Sequence, residues 1–244
     1  MINVTIKTSI TDALKFLNDV ERRQIPFATA KALTLTAKKV EKETYQEMQK
    51  RFDRPTPMTM RSLRTKPATK RDLTSKVYLK GVELGGKNPN SMFEIIGHQF
   101  DGGTRNRKRI EQLFASRGLI SSNEYLVPGS SARLDRYGNI SRGQLQQIVS
   151  QIGISRDAAQ NATKSSRSKF KVKRAGAMFW SRGDRLPRGV WMRQSMFVKP
   201  ILMVSRTPHY RQRIDLDRVA DGVVRREFQG VFDKTLNEAL RSAR

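Results

Sequence analysis

The chain has 244 residues, 37% of them hydrophobic and 7% aromatic, with 48 Lys and Arg against 22 Asp and Glu, a formal charge of +26. This length holds one large domain or a domain with a sizeable insertion, and the charge points to polyanions, nucleic acid first, then acidic proteins, then anionic membrane. With no cysteine, disulfides, Cys-based zinc sites and thiol catalysis are all excluded.

The opening MINVTIKTSI alternates Ile2, Val4 and Ile6 with polar residues, the period of a half-buried strand, and it lacks the pattern of a secretory leader. No apolar run approaches a bilayer span, so a soluble intracellular product without membrane contact is expected. Ser9 or Thr11 would cap a short helix ending near Gln24, and Pro26 would open a second, longer one. Ala30, Leu33, Ala37, Val40, Thr44 and Met48 then recur every three or four residues along one helical face. Lys and Glu fill the opposite face, and Pro55 and Pro57 end the helix.

From Leu63 to Lys80, scattered threonines and Pro67 suggest an extended arm leading into a strand. Met92 to Ile96 reads as a buried strand or short helix between Gly-rich breaks, and residues 105–118 as basic, then amphipathic through Ile110, Leu113 and Phe114. A turn is expected at Tyr137-Gly138-Asn139, then a helix capped by Ser141 with Leu145, Ile148, Val149 and Ile152 facing inward. Residues 155–173 have the composition of a mobile polar linker. Apolar runs at 177–180, 190–193 and 200–204 predict an antiparallel meander. A last helix from about Asp217 should bury Val224, Phe228, Val231, Phe232, Leu236 and Leu240.

The expected fold is α+β: long N- and C-terminal helices on a small, mostly antiparallel sheet. It would be a single domain over 1–244, with a peripheral, basic and partly mobile insertion at about 105–175.

Catalytic signals are lacking. His98 and His209 have no metal-ligand spacing around them, Asp101-Gly102-Gly103-Thr104 lacks the end of a P-loop, and the acids read as helix faces or caps. The expectation is a protein that is not an enzyme and uses no cofactor or metal. Between Ala158 and Ile214, by contrast, fourteen Lys or Arg face the single acid Asp184. Lys164, Arg167, Lys169, Lys171, Lys173 and Arg174, with Arg105, Arg107, Lys108 and Arg109, are candidate phosphate or interface contacts. A charged subunit interface or a solvated loop has the same composition. Arg64, Lys66, Pro67, Lys70 and Arg71 form a candidate assembly arm.

Two stretches carry a family resemblance: the long helix running into RFDRPTPMTMRSLRTKPATKRDLTSKVYLK, and RLPRGVWMR followed by the chain from Val198 to Arg244. Together they resemble the minor tail protein Z and head–tail joining (tail-completion) proteins of tailed bacteriophages, most strongly over residues 26–80 and 186–244. The resemblance implies a non-enzymatic ring subunit of the virion neck or tail, assembled in the host cytoplasm around the DNA exit channel. Its implied partners are other neck and tail proteins, double-stranded DNA through phosphate contacts, and its own copies in a cyclic ring of roughly six. A sequence-nonspecific nucleic-acid-binding protein of the packaging or chromatin-like kind is the alternative.

Overall fold

A computed structural model describes residues 4–7, 19–81, 91–163, 165, 176–194 and 196–242, with backbone only before residue 24. The chain forms two compact units, residues 1–105 with 210–244, and residues 106–209.

The first unit is built on α1 (Asp19–Arg51), 33 residues long. The six residues picked out by their spacing are all buried, five of them fully. Helix α1 runs unbroken through Pro26, however, where the sequence suggested a new start. The proline removes one N–H donor, and cooperative helix on both sides carries the turn across the gap. The Thr29 hydroxyl also donates to the Ile25 carbonyl at 2.8 Å. The expected helix start at Ser9 or Thr11 lies outside the described residues.

After α1, Arg54 takes φ +45°, the left-handed region, directly before Pro55. That fits the bar against right-handed helix at a pre-proline position. Thr56 caps the one-turn α2 (Pro57–Met60) through the Thr59 N–H. Strands β1 (Val4–Lys7), β2 (Leu63–Lys66) and β3 (Thr74–Leu79) form an antiparallel sheet in the order β1-β3-β2. Two short helices follow, α3 (Met92–Ile96) and α4 (His98–Asp101). The chain returns as the last helix, α7 (Leu216–Ser242), antiparallel to α1. Ala37, Val40 and Met48 of α1 share one core with Leu63, Val77 and Leu79 of the sheet, Phe100 of α4, and Ala220 and Val223 of α7.

Helix α7 departs from expectation. It buries Leu216, Ala220, Val223, Thr235 and Ala239. Val224, Phe228, Val231, Phe232 and Leu236 are only half-buried, and Leu240 is exposed. Small residues win the inner face because the two helices approach closely: the Thr235 hydroxyl reaches the Ala28 carbonyl at 3.2 Å.

The second unit contains α5 (Arg109–Ser116), β4 (Glu124–Pro128), α6 (Arg142–Ile152), β5 (Ala177–Ser181), β6 (Gly189–Gln194) and β7 (Phe197–Arg206). Its sheet is antiparallel in the order β4-β7-β6-β5, which contains the expected meander. Gly189 is required where β6 meets β7, one residue before the register shift that leaves Ile201 of β7 as the extra residue, because a Cβ there would stand 2.2 Å from the Leu202 carbonyl oxygen. Phe114, Ile120, Leu126, Ile148 and Ile154 bury against Met178, Val190, Ile201 and Leu202.

The described part of the expected peripheral insertion therefore lies in the body of this second unit. Its apolar residues supply half of the core that the meander closes. Residues 155–163 are likewise held, with the Ser155 N–H on Asn161 and the Ala162 N–H on the Ser150 carbonyl. The rest of the expected linker, residue 165 excepted, lies outside the described residues. The turn at Asp135–Asn139 and the Ser141 cap form as the sequence indicates.

Ala28→Leu should test the close helix approach. Its side chain has no exposed surface, so the added volume should lower stability by about 1–3 kcal/mol in urea unfolding.

Candidate assembly and polyanion surfaces

Three ion pairs in the first unit join its long helices. Lys31 and Glu238 meet at 2.7 Å, Lys39 and Glu227 at 2.6 Å, and Arg226 and Glu43 at 2.6 Å, all across the α1–α7 pair. The carboxyls of Glu227 and Glu238 lie below the usual glutamate range because the Lys39 and Lys31 ammonium groups hydrogen-bond them. These pairs are solvent-exposed and screened, so they set the register of the helices more than their strength.

The candidate arm is a β-hairpin that is tied back onto α1. Ala68 donates its N–H to the Thr34 hydroxyl at 3.0 Å. Thr69 and Asp72 close the turn on each other, through the Thr69 N–H on the Asp72 carbonyl and the Asp72 N–H on the Thr69 hydroxyl. Lys70 places its ammonium 5.2 Å from the Phe27 ring centroid. Arg64 curls onto the Arg61 and Leu63 carbonyls. Lys66, Pro67 and Arg71 are exposed, and Lys66 stands directly opposite Lys76 across the strands. Two like charges in register are unfavourable without an anion to bridge them. Between hairpin loop and helix lies an open cavity of about 400 Å³ with Phe27, Ala30 and Leu35 at its base and Lys31, Lys38 and Lys70 around it.

The cluster at 105–109 divides. Arg105 belongs to the first unit and the other three to the second. Arg107 donates to the Ser121 and Glu124 carbonyls and lies over the Tyr125 ring, so it staples a turn. Only Lys108 and Arg109 show well-exposed side chains. Lys164, Arg167, Lys169, Lys171, Lys173 and Arg174 lie outside the described residues.

The second unit holds twenty Lys or Arg and five acids, Glu111, Glu124, Asp135, Asp157 and Asp184. Four of these acids have structural duties. Glu111 is fully buried and accepts the N–H groups of Lys108 and Leu126 at 2.7 and 2.9 Å, tying α5 to β4. Asp135 accepts two turn N–H groups, and Asp157 caps the short helix at Ala158–Gln160. Glu124 accepts the Ser121 N–H at 2.7 Å and is gripped by the Arg188 guanidinium through both oxygens. The Ser121 N–H first, then Arg188, holds its carboxyl below the usual glutamate range against the opposing effect of burial. With twenty cations against five acids, the unit keeps a large positive excess.

A feature that sequence reading passed over is the end of the β6–β7 hairpin. Met196 is 91% exposed and Phe197 69%. The apolar pair inside QSMFVK was the available signal, hidden between two strand assignments.

Among the described residues, no cluster of His, Asp or Glu could hold a metal ion, and no helix is long and apolar enough to cross a membrane. What the two units define is an α+β protein with two kinds of outward surface, one apolar on a helix and one cationic on a sheet unit. No family model, curated protein or solved structure matches the chain.

Two substitutions probe the buried and paired acids. Glu111→Ala strands two backbone N–H groups and should cost about 3 kcal/mol in denaturant unfolding. Glu124 has a lowered folded-state value, so its contribution is present above the unfolded glutamate value of about 4.3 and is lost as pH falls through the folded one. Urea midpoints measured from pH 7 down to pH 3 should therefore fall more steeply for the wild type than for Glu124→Gln.

Proposed function

We propose that this chain is a non-enzymatic structural subunit of a tailed-phage virion, forming a ring in the neck or upper tail that completes the tail or joins it to the head. The observation that carries the reading is the outer row of α7. Val224, Phe228, Val231, Phe232, Leu236 and Leu240 remain half-buried or exposed although the helix is packed along α1. Phe228 and Phe232 stack on each other with centroids 6.1 Å apart. A long row of large apolar side chains left at the surface is the mark of an interface. A second copy is the occupant that gives every subunit the same cover, and a contact between unlike surfaces closes into a ring when the rotation permits.

The remaining features agree with this role. The stretches that carry the family resemblance include α1, the β2–β3 hairpin and α7, which are main parts of the first unit. The uncompensated charge of the second unit suits phosphate neutralisation along a DNA exit channel, without base readout. The same charge favours the second reading, a sequence-nonspecific nucleic-acid-binding protein that acts without a ring.

Light scattering and negative-stain imaging in high salt separate the two. The ring reading expects a closed oligomer that persists in salt, and a Phe228→Ser/Phe232→Ser variant that is monomeric with unchanged helix content by circular dichroism. A wild-type monomer whose DNA binding collapses as salt rises would favour the second reading.

A further inference from the structure

We propose that the end of the β6–β7 ribbon is an apolar wedge for duplex DNA. Met196 and Phe197 enter between base pairs at the floor of the minor groove, and Arg193 and Lys199 neutralise the phosphates on its rims. This inference concerns the second unit alone and stands or falls independently of the ring reading.

The exposure of the tip has no internal explanation. Burial of a Met or Phe side chain is favourable, yet these two are in neither hydrophobic core of the described residues. Among the described residues, neither flanking strand pairs with them. Strand β5 pairs with β6 only as far as Arg193, and β4 with β7 only as far as Leu202, extended to Pro200 by the Ser131 N–H. Beyond those points the ribbon is two strands wide; β-ribbons are used in either groove of DNA, and in the narrow minor groove an inserted apolar wedge kinks the duplex.

The rungs give the depth. Gln194 pairs with Phe197, Arg193 with Val198, and Met192 with Lys199. At about 3.3 Å per residue, Arg193 lies about 3 Å and Lys199 about 7 Å behind the Phe197 rung. The minor groove is about 7.5 Å deep, so a tip at its floor brings Lys199 level with the phosphates and leaves Arg193 about 4 Å below them, a gap that its long side chain spans. Arg193 has its guanidinium 5.8 Å from the Phe179 ring, which positions it while the side chain stays exposed. Charge selects the partner. No acid occurs between Asp184 and Asp215, so a polyanion is attracted all along the ribbon. Apolar side chains inserted at a base step unstack it and kink the duplex, which a purely electrostatic contact does not do.

The full chain should be tested against an end-labelled duplex of about 30 base pairs, with bending read by energy transfer. Unwinding is read from the linking number of plasmid relaxed by topoisomerase in the protein's presence. The wild type should bend and unwind DNA. Met196→Ser/Phe197→Ser should keep the affinity within a few-fold and the same salt slope, yet lose both distortions. Arg193→Ala/Lys199→Ala should keep the melting temperature and lower the salt slope by about two. Phe197→Trp should keep the bending and show tryptophan quenching on the duplex. Binding without bending by the wild type, or equal bending by the double-serine variant, overturns the proposal. A Phe197→Trp emission shift on phosphatidylserine–phosphatidylcholine vesicles but not on duplex overturns it in favour of a bilayer.

Discussion

The close approach of α1 and α7 is the constraint on which the first unit depends. Ala28, Thr235 and Ala239 are small enough to let a side-chain hydroxyl of one helix reach a backbone carbonyl of the other. That closeness has a second effect. Once small residues occupy the inner face, the large apolar residues of α7 are turned partly outward, where α1 cannot cover them. Tight internal packing and an apolar outer row are thus two results of one choice of residues. A leucine-rich seam would have hidden the apolar row at the expense of the approach.

Charge is divided between the units in a comparable way. The first unit spends Lys31, Lys39 and Arg226 on glutamates of the facing helix. In the second, acids accept backbone N–H groups, Glu111 in the core and Asp135 and Asp157 at exposed turns. A carboxylate satisfied by N–H donors gives rigidity to a turn or a helix end but leaves surface cations unmatched. The positive field of the second unit follows from its excess of lysine and arginine, twenty against five acids.

Much of this was legible in the sequence, and the misses have identifiable causes. The buried face of α1 could be read directly, because its apolar and polar positions separate cleanly at helical spacing. Helix α7 could not, because Val224, Phe228 and Leu236 have the spacing of a core face just as Ala220, Val223 and Ala239 do. Periodicity gives the existence of a stripe; which stripe goes inward depends on the partner helix, and that information lies some 200 residues away, at Ala28 and Lys31. The two-unit division was missed for a related reason. Ile110, Phe114 and Ile148 were recognised as inward-facing, but nothing local says that the meander at 177–206, rather than the terminal helices, closes over them. Arg107 was read as a phosphate contact because composition does not distinguish a guanidinium held by carbonyls from one in solvent.

The hairpin tip shows how the two kinds of surface can meet in one place. The partly exposed apolar row of α7 lies in the first unit, and the larger excess of cations in the second. At the end of the β6–β7 ribbon apolar exposure and positive charge are interleaved within a few residues, with Arg193 and Lys199 bracketing Met196 and Phe197. An apolar protein pocket would satisfy the tip but would leave the cations to be desolvated without partners unless it were rimmed with acids. A phosphate-lined groove satisfies the cations first, through long-range attraction, and offers the stacked bases as the apolar surface beneath. The order of events follows from the ranges of the forces. Electrostatic attraction acts over about a Debye length, whereas the gain from burying Phe197 arises only on contact, so any DNA bend should form after capture and not during it.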